Sequence, residues 1–209
     1  MTRASAKTTG RAGGVALCVW FALMVLLGAG LLARHAVAFS APSASAKLAA
    51  SLNALRPARA QGGWFAVHAL YADCRCSQRV QEHLLAGGRP PDWTEVVLWV
   101  GSPVGSPVGS PAGSPEPTPE LERRFDVRRI TPQDLTKLGI ESAPMLIALD
   151  PEGRIRYAGG YTERKQGPVI DDTRILSEVR LEAAPPSLPL FGCAVSDRLR
   201  RQLSLLPVP

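Results

Sequence analysis

Apolar and polar residues alternate along the middle of this chain with two different periods. Short, nearly continuous apolar runs rich in β-branched and aromatic residues predict strands that are buried on both faces of a sheet. Runs with apolar residues three and four positions apart predict helices that bury one side. The predicted strands are 64–71, 95–100, 145–150 and 154–158, and the predicted helices are 77–85, 120–125, 131–139 and 172–182. This order predicts an α/β sandwich around a mixed β-sheet.

The N-terminal segment has a different pattern. Residues 12–33 carry no charge, and a helix needs about 20 apolar residues to cross a membrane. Three cations in residues 1–11 predict a cytoplasmic segment there and export of everything after the helix. Ala36-Val37-Ala38 matches a signal cleavage pattern, but the apolar run is longer than the usual signal core of about 7–15 residues. The length therefore favours a retained transmembrane anchor, or an uncleaved signal, over a cleaved one.

The remaining segments divide the chain further. Residues 34–62 are rich in Ala, Ser and Pro and are interpreted as a linker, with one short helix over 47–55. Residues 63–184 form the predicted domain. It is interrupted at 101–119 by a repeated Gly-Ser-Pro pattern that neither a helix nor a sheet accommodates. We interpret this stretch as a tolerated loop expansion. Residues 185–209 are a C-terminal tail that contains Cys193.

The charge balance bears on the class of partner. The formal net charge is +6, from 24 Lys and Arg against 18 Asp and Glu. Most of the excess comes from Arg3, Lys7, Arg11 and Arg34, which flank the apolar segment, and no acidic residue precedes Asp73. The rest of the chain is nearly neutral, so a phosphate-binding surface is not expected. The excess cations indicate a membrane partner and no nucleic acid.

Three of the four cysteines lie outside the apolar segment, and exported cysteines usually pair or react. Cys74 and Cys76 fall where a helix begins, where backbone N–H groups and the helix dipole favour a thiolate. A disulfide between them would close a small, strained ring that is easily reduced. Cys193 could resolve a disulfide at Cys74 or Cys76, anchor the tail permanently, or pair with a second molecule. The sequence leaves these alternatives open.

Two short stretches carry a resemblance to a known family. Asp73-Cys74-Arg75-Cys76-Ser77 follows a buried strand, and Ser142-Ala143-Pro144 precedes the hairpin. Together they resemble thioredoxin-like domains, most closely the membrane-anchored extracytoplasmic thiol–disulfide redoxins, over residues 64–182 without the insertion. The resemblance implies a three-layer α/β sandwich and a cis Pro144 that presents the edge of Ala143 to a substrate chain. The family separates its cysteines by two residues, whereas one residue separates them here and Ser77 takes the second position.

The resemblance implies thiol–disulfide exchange outside the cytoplasm, with protein thiols or disulfides as partners and no cofactor. Cys74 would attack, Cys76 or Cys193 would resolve, and Pro144 would shape the substrate site. A copper carrier using Cys74 and Cys76, with or without His83, is an alternative, because thiolates and imidazole suit soft metals. A non-catalytic adaptor with structural cysteines is another. An ordinary strand-initiating Pro144 is the alternative to a cis proline.

Overall fold

A computed structural model describes residues 7–35, 38–101, 115–165 and 167–203. The chain separates into two compact units, Met1–Val37 and Ala38–Pro209. Two of the sequence expectations lie wholly or largely outside the described residues. These are the Gly-Ser-Pro repeat, of which 102–114 are not described, and the cleavage pattern, of which residues 36 and 37 are not described.

The first unit contains one helix, α1 (Lys7–His35). Within it, Gly13–Leu31 is a 19-residue stretch apolar enough to cross a membrane, and none of it is buried against protein. A helix rises about 1.5 Å per residue, so this stretch matches the thickness of a hydrocarbon core. By length and composition the helix fits a membrane span or a signal sequence.

The second unit is built on a five-stranded mixed sheet. Its strands are β1 (Trp64–Tyr71), β2 (Trp93–Val100), β3 (Asp126–Ile130), β5 (Met145–Leu149) and β6 (Ile155–Gly159), and a separate pair is formed by β4 (Ser142–Ala143) and β7 (Cys193–Ala194). Its helices are α2 (Ala46–Asn53), α3 (Arg75–Ala86), α4 (Pro119–Arg124), α5 (Pro132–Lys137), α6 (Asp172–Arg180) and α7 (Asp197–Leu203). The sheet order is β3-β2-β1-β5-β6. Strands β1, β2 and β3 are parallel, whereas β5 runs antiparallel to β1 and to β6.

Both faces of the sheet are covered, which confirms the predicted three-layer sandwich. Alternate β1 residues point to opposite sides, so Ala66 and Leu70 pack with α3 and α6. Phe65 and Val67 pack on the other face with α2, α5 and the C-terminal tail. Because β1 is central and buried on both faces, its C-terminal end is a fixed point from which the chain enters α3.

Three observed strands are absent from the sequence prediction: β3 in the five-stranded sheet, and the two-residue strands β4 and β7. Strand β3 is the longest of them. It contains three charged residues in a run of five and lies at the sheet edge beside β2. An edge strand that is half exposed needs no continuous apolar run, so its pattern gave little signal. The structure also starts α3 at Arg75, two residues before the predicted Ser77.

The interpretation of residues 34–62 as a simple linker differs from the structure. The predicted short helix is present as α2, and Leu48 and Leu52 on it are buried in the core. The Asn53 side chain donates a hydrogen bond to the Gly153 carbonyl at 2.8 Å, which ties α2 to the turn between β5 and β6. Residues of this stretch are therefore part of the second unit, because two leucines one turn apart cover the sheet.

Truncating Leu52 to alanine is expected to destabilise the second unit by about 2–5 kcal/mol, because its side chain is fully buried. Chemical denaturation of the purified chain measures the change in the free energy of unfolding. Leu181→Ala is the matched control, since Leu181 is 79% exposed and should change stability by less than about 0.5 kcal/mol. Equal effects of the two substitutions would show that α2 does not belong to the folded core.

Candidate functional site

Cys74 is held at the junction between β1 and α3. It is the residue just before the helix, with extended backbone angles, and its backbone N–H bonds the Tyr71 carbonyl at 3.0 Å. The hydroxyl of Ser77, buried in the first turn, accepts a hydrogen bond from the Tyr71 N–H at 3.0 Å. These bonds close a tight turn that holds Cys74 as the residue before the first turn of α3, and its sulfur makes no capping hydrogen bond with the helix N–H groups.

Cys74 forms a disulfide with Cys193, and the two Cα atoms are 5.9 Å apart. Cys76 is a free, half-buried thiol in the first turn of α3. Of the pairings that the sequence left open, the structure contains the one between Cys74 and Cys193. Cys74 itself is fully buried, because the tail lies over it.

The third predicted site residue, Pro144, lies beside this disulfide. The Ala143–Pro144 peptide bond is cis, as expected from the resemblance. The Ala143 carbonyl oxygen is 3.7 Å from the Cys74 sulfur. On the other side, β4 pairs antiparallel with β7, so that Ala143 lies opposite Cys193. The structure thus brings Cys74, Pro144 and Cys193 together at one place.

Cys76 lines a mainly apolar cavity of about 310 Å³ next to this cluster. Apolar walls come from Val80, Pro144, Ile170 and Phe191, and polar ones include Arg75, Arg79 and Tyr161. Phe191 reaches the cavity from the C-terminal tail, two residues before Cys193. The cavity can therefore receive an apolar side chain beside the free thiol.

Beneath the cavity lies a buried charge cluster that the sequence analysis did not find. Its members are His68, Glu95, Arg89 and Asp172, whose side chains are at most 13% exposed. His68 contacts the Tyr161 hydroxyl at 2.8 Å through Nδ1 and Glu95 at 2.7 Å through Nε2. Arg89 donates to Glu95 and, at 2.6 Å, to Asp172. Tyr161 thus links the cavity wall to the cluster, and both ring nitrogens of His68 are hydrogen-bonded within it.

Charge pairing dominates the electrostatics of this cluster. Burial alone would raise the pKa of Glu95, but hydrogen bonds from His68 and Arg89 outweigh it and lower the pKa to about 2. Burial raises the pKa of Tyr161 well above its ordinary value, so the phenol stays protonated. The carboxylate is therefore a fixed negative charge at neutral pH, neutralised by Arg89.

The copper alternative used Cys74 and Cys76, with or without His83. In the structure Nε2 of His83 lies 2.8 Å from Asp172, and Cys74 is oxidised. Among the described residues, no group of three or more His, Cys, Asp or Glu side chains could hold a metal ion. The predicted metal-binding set is not assembled.

Comparisons with known proteins add the following. No protein-family model and no curated protein matches the sequence. An uncharacterized conserved protein from Geobacillus kaustophilus is similar, with 15% identity, a TM-score of 0.49, and coverage of 66% of this chain and 78% of that one. The hypothetical protein SMc02350 from Sinorhizobium meliloti 1021 shows 17% identity, a TM-score of 0.46, and coverage of 77% and 91%. The thioredoxin-like superfamily protein SPOA0173 shows 15% identity, a TM-score of 0.35, and coverage of 63% and 86%.

Proposed function

We propose that this chain, whose fold is thioredoxin-like, is a membrane-tethered protein that exchanges thiols and disulfides with exported proteins. The observation that carries the proposal is the Cys74–Cys193 disulfide. It joins a cysteine at a helix start to a cysteine on a segment paired with Ala143, directly before the cis Pro144. A mixed disulfide between the site and a bound protein segment would have this arrangement.

In the proposed reaction, the thiolate of reduced Cys74 attacks one sulfur of a partner disulfide. A bond forms between Cys74 and that sulfur, and the other partner sulfur leaves as a thiolate that takes up a proton. The helix N-terminus stabilises the attacking anion through its unsatisfied N–H groups. Arg75, an exposed cation, is the next residue in the chain.

Cys76 is proposed to resolve the mixed disulfide. Its thiolate attacks the Cys74 sulfur, the Cys74–Cys76 bond forms, and the partner cysteine leaves reduced. One residue separates the two cysteines at the start of α3. Their bond requires the first turn to bring the two Cβ atoms to within roughly 3.5–4.5 Å, the separation that a disulfide spans. Two electrons pass from the dithiol to the partner, and the reverse sequence oxidises a partner dithiol. The protein's own sulfurs carry the electrons, so the proposal includes no cofactor.

The proposed location follows from the N-terminal segment. The exposed apolar helix is proposed to anchor the chain in the membrane, with the basic N-terminus cytoplasmic and the second unit extracytoplasmic. An oxidising compartment would be compatible with the disulfide.

Redox trapping of the full-length chain in detergent tests the proposal. The protein is equilibrated in glutathione buffers of graded potential, alkylated, and mapped by mass spectrometry. We expect the Cys74–Cys193 bond to open while the chain stays folded, with Cys74–Cys76 appearing in the same range of potentials. A disulfide that opens only when the protein unfolds would identify Cys74 and Cys193 as structural and favour the adaptor alternative.

A further inference from the structure

A short segment of the C-terminal tail covers the proposed exchange site. We call residues Phe191–Ala194 the strap. All four are half-buried, whereas the residues on either side, Leu190 and Val195, are fully buried in the core. Leu190 accepts a hydrogen bond from the Phe39 N–H at 2.9 Å, and the Val195 N–H donates to the Glu141 carbonyl at 2.7 Å. The strap is therefore held at two anchors and spans the site between them.

The strap contacts the site through its backbone and through one sulfur. Its residues Cys193 and Ala194 pair antiparallel with β4, opposite Ala143 and Ser142. A second extended segment cannot pair with that side of β4 while the strap is there, because each strand edge accepts one partner. Cys193 of the strap also forms with Cys74 the disulfide that a partner's cysteine would form.

The residue before Cys193 must be very small. A Cβ atom built on Gly192 would overlap the carbonyl oxygen of Ala143 and lie 2.7 Å from Cδ of Pro144. The clash is with backbone and a proline ring, neither of which can rotate away. One residue earlier, Phe191 borders the apolar cavity beside Cys76. Position by position, the strap therefore places an aromatic ring at the edge of the cavity, a glycine against the Ala143–Pro144 peptide and a cysteine on Cys74.

We infer that the strap occupies the binding site of the protein partner and resembles the segment of the partner that binds there. This inference rests on the proposed function. The segment of the partner that binds beside β4 is then extended and contains a cysteine. A glycine directly precedes that cysteine, and an aromatic residue precedes the glycine. The strap must lift from β4 for such a segment to bind.

The strap can be released by exchange within the chain. The Cys76 thiolate attacks the Cys74 sulfur, the Cys74–Cys76 bond forms, and Cys193 leaves as a thiolate that is protonated by water. One disulfide replaces another, so no external oxidant or reductant is consumed. The Cys74–Cys76 bond then meets the partner's cysteine thiolate, which attacks Cys74 and expels Cys76. Cys74 is therefore bonded to the strap first and to the partner's cysteine later.

Peptide capture tests the inference on the full-length chain in detergent, carrying Cys18→Ser, Cys76→Ser and Cys193→Ser so that Cys74 is the remaining thiol. The probe is a peptide with the sequence of residues 190–195, whose cysteine bears a thionitrobenzoate group. Attack by Cys74 joins the peptide to the protein and releases coloured thionitrobenzoate. We expect capture at least about tenfold faster than for the same peptide with alanine in place of glycine, because the added methyl overlaps backbone. Equal rates for the two peptides would overturn the inference.

Three further measurements accompany the peptide-capture test. Adding Gly192→Val to the same protein should speed capture, because the strap then competes less well for β4. Thermal unfolding identifies variants that fail to fold. Hydroxyethyl disulfide, which has no peptide backbone, separates the two proposals. If Cys74 reacts with it but does not distinguish the peptides, exchange stands and the strap inference fails. If Cys74 reacts with neither probe, both proposals fail.

Discussion

Replacing Cys74 with serine is expected to slow the reduction of insulin disulfides by this chain at least about 100-fold, with dithiothreitol as the electron donor. A hydroxyl in the same position is not ionised at neutral pH and is a poor nucleophile toward sulfur. The assay follows insulin precipitation by light scattering, with the full-length protein in detergent. A background rate with dithiothreitol alone is subtracted.

Three matched cysteine variants separate the proposed roles. Cys76→Ser combined with Cys193→Ser should still attack and, once dithiothreitol is removed, should accumulate a mixed disulfide that gel analysis without reductant detects. Cys193→Ser should keep or raise the rate, because the strap no longer competes for Cys74. Cys18→Ser should match the wild-type rate, since Cys18 lies in α1. Full activity of Cys74→Ser would refute the assignment of the attacking sulfur.

Much of the fold was predictable because the buried strands are almost wholly apolar. The run 64–71 gave β1 within its observed bounds, and the hairpin strands β5 and β6 were identified by a turn of typical composition. The edge strand β3 and the role of α2 were not predictable in the same way. An edge strand shows no strong period, and whether a short amphipathic helix docks depends on the sheet it meets.

The site was predictable only as far as local sequence determines it. Cys74 at a helix start and Pro144 before a strand are properties of neighbouring residues. The Cys74–Cys193 bond joins positions 119 residues apart, and spacing alone does not fix such a pairing. One sign of the buried charge cluster is present in the sequence, because His68 and Glu95 are ionisable residues within largely apolar strands. Their partner Arg89 lies in a loop and could be assigned only from the structure.

Replacing Arg89 with alanine is expected to destabilise the second unit by about 3–5 kcal/mol, because it leaves Glu95 and Asp172 buried without their cation. Thermal unfolding should shift down by roughly 10 °C for a unit of this size. Arg174→Ala is the matched control. Arg174 also bridges two carboxylates, but it is largely exposed, so its loss should cost less than about 1 kcal/mol.

The deficit of Arg89→Ala should depend on pH in a defined direction. Because the folded pKa of Glu95 is lowered from 4.5 to about 2, its ionic contribution is fully present above pH 4.5. That contribution is lost as the pH falls through 4.5 toward 2, since protonated Glu95 no longer needs the guanidinium. The stability difference between wild type and Arg89→Ala should therefore shrink over that interval, as denaturant unfolding at each pH would measure. A difference that stays constant in acid would mean that Arg89 stabilises the unit by packing on Phe125, whose ring centroid is 6.0 Å away, and not by its charge.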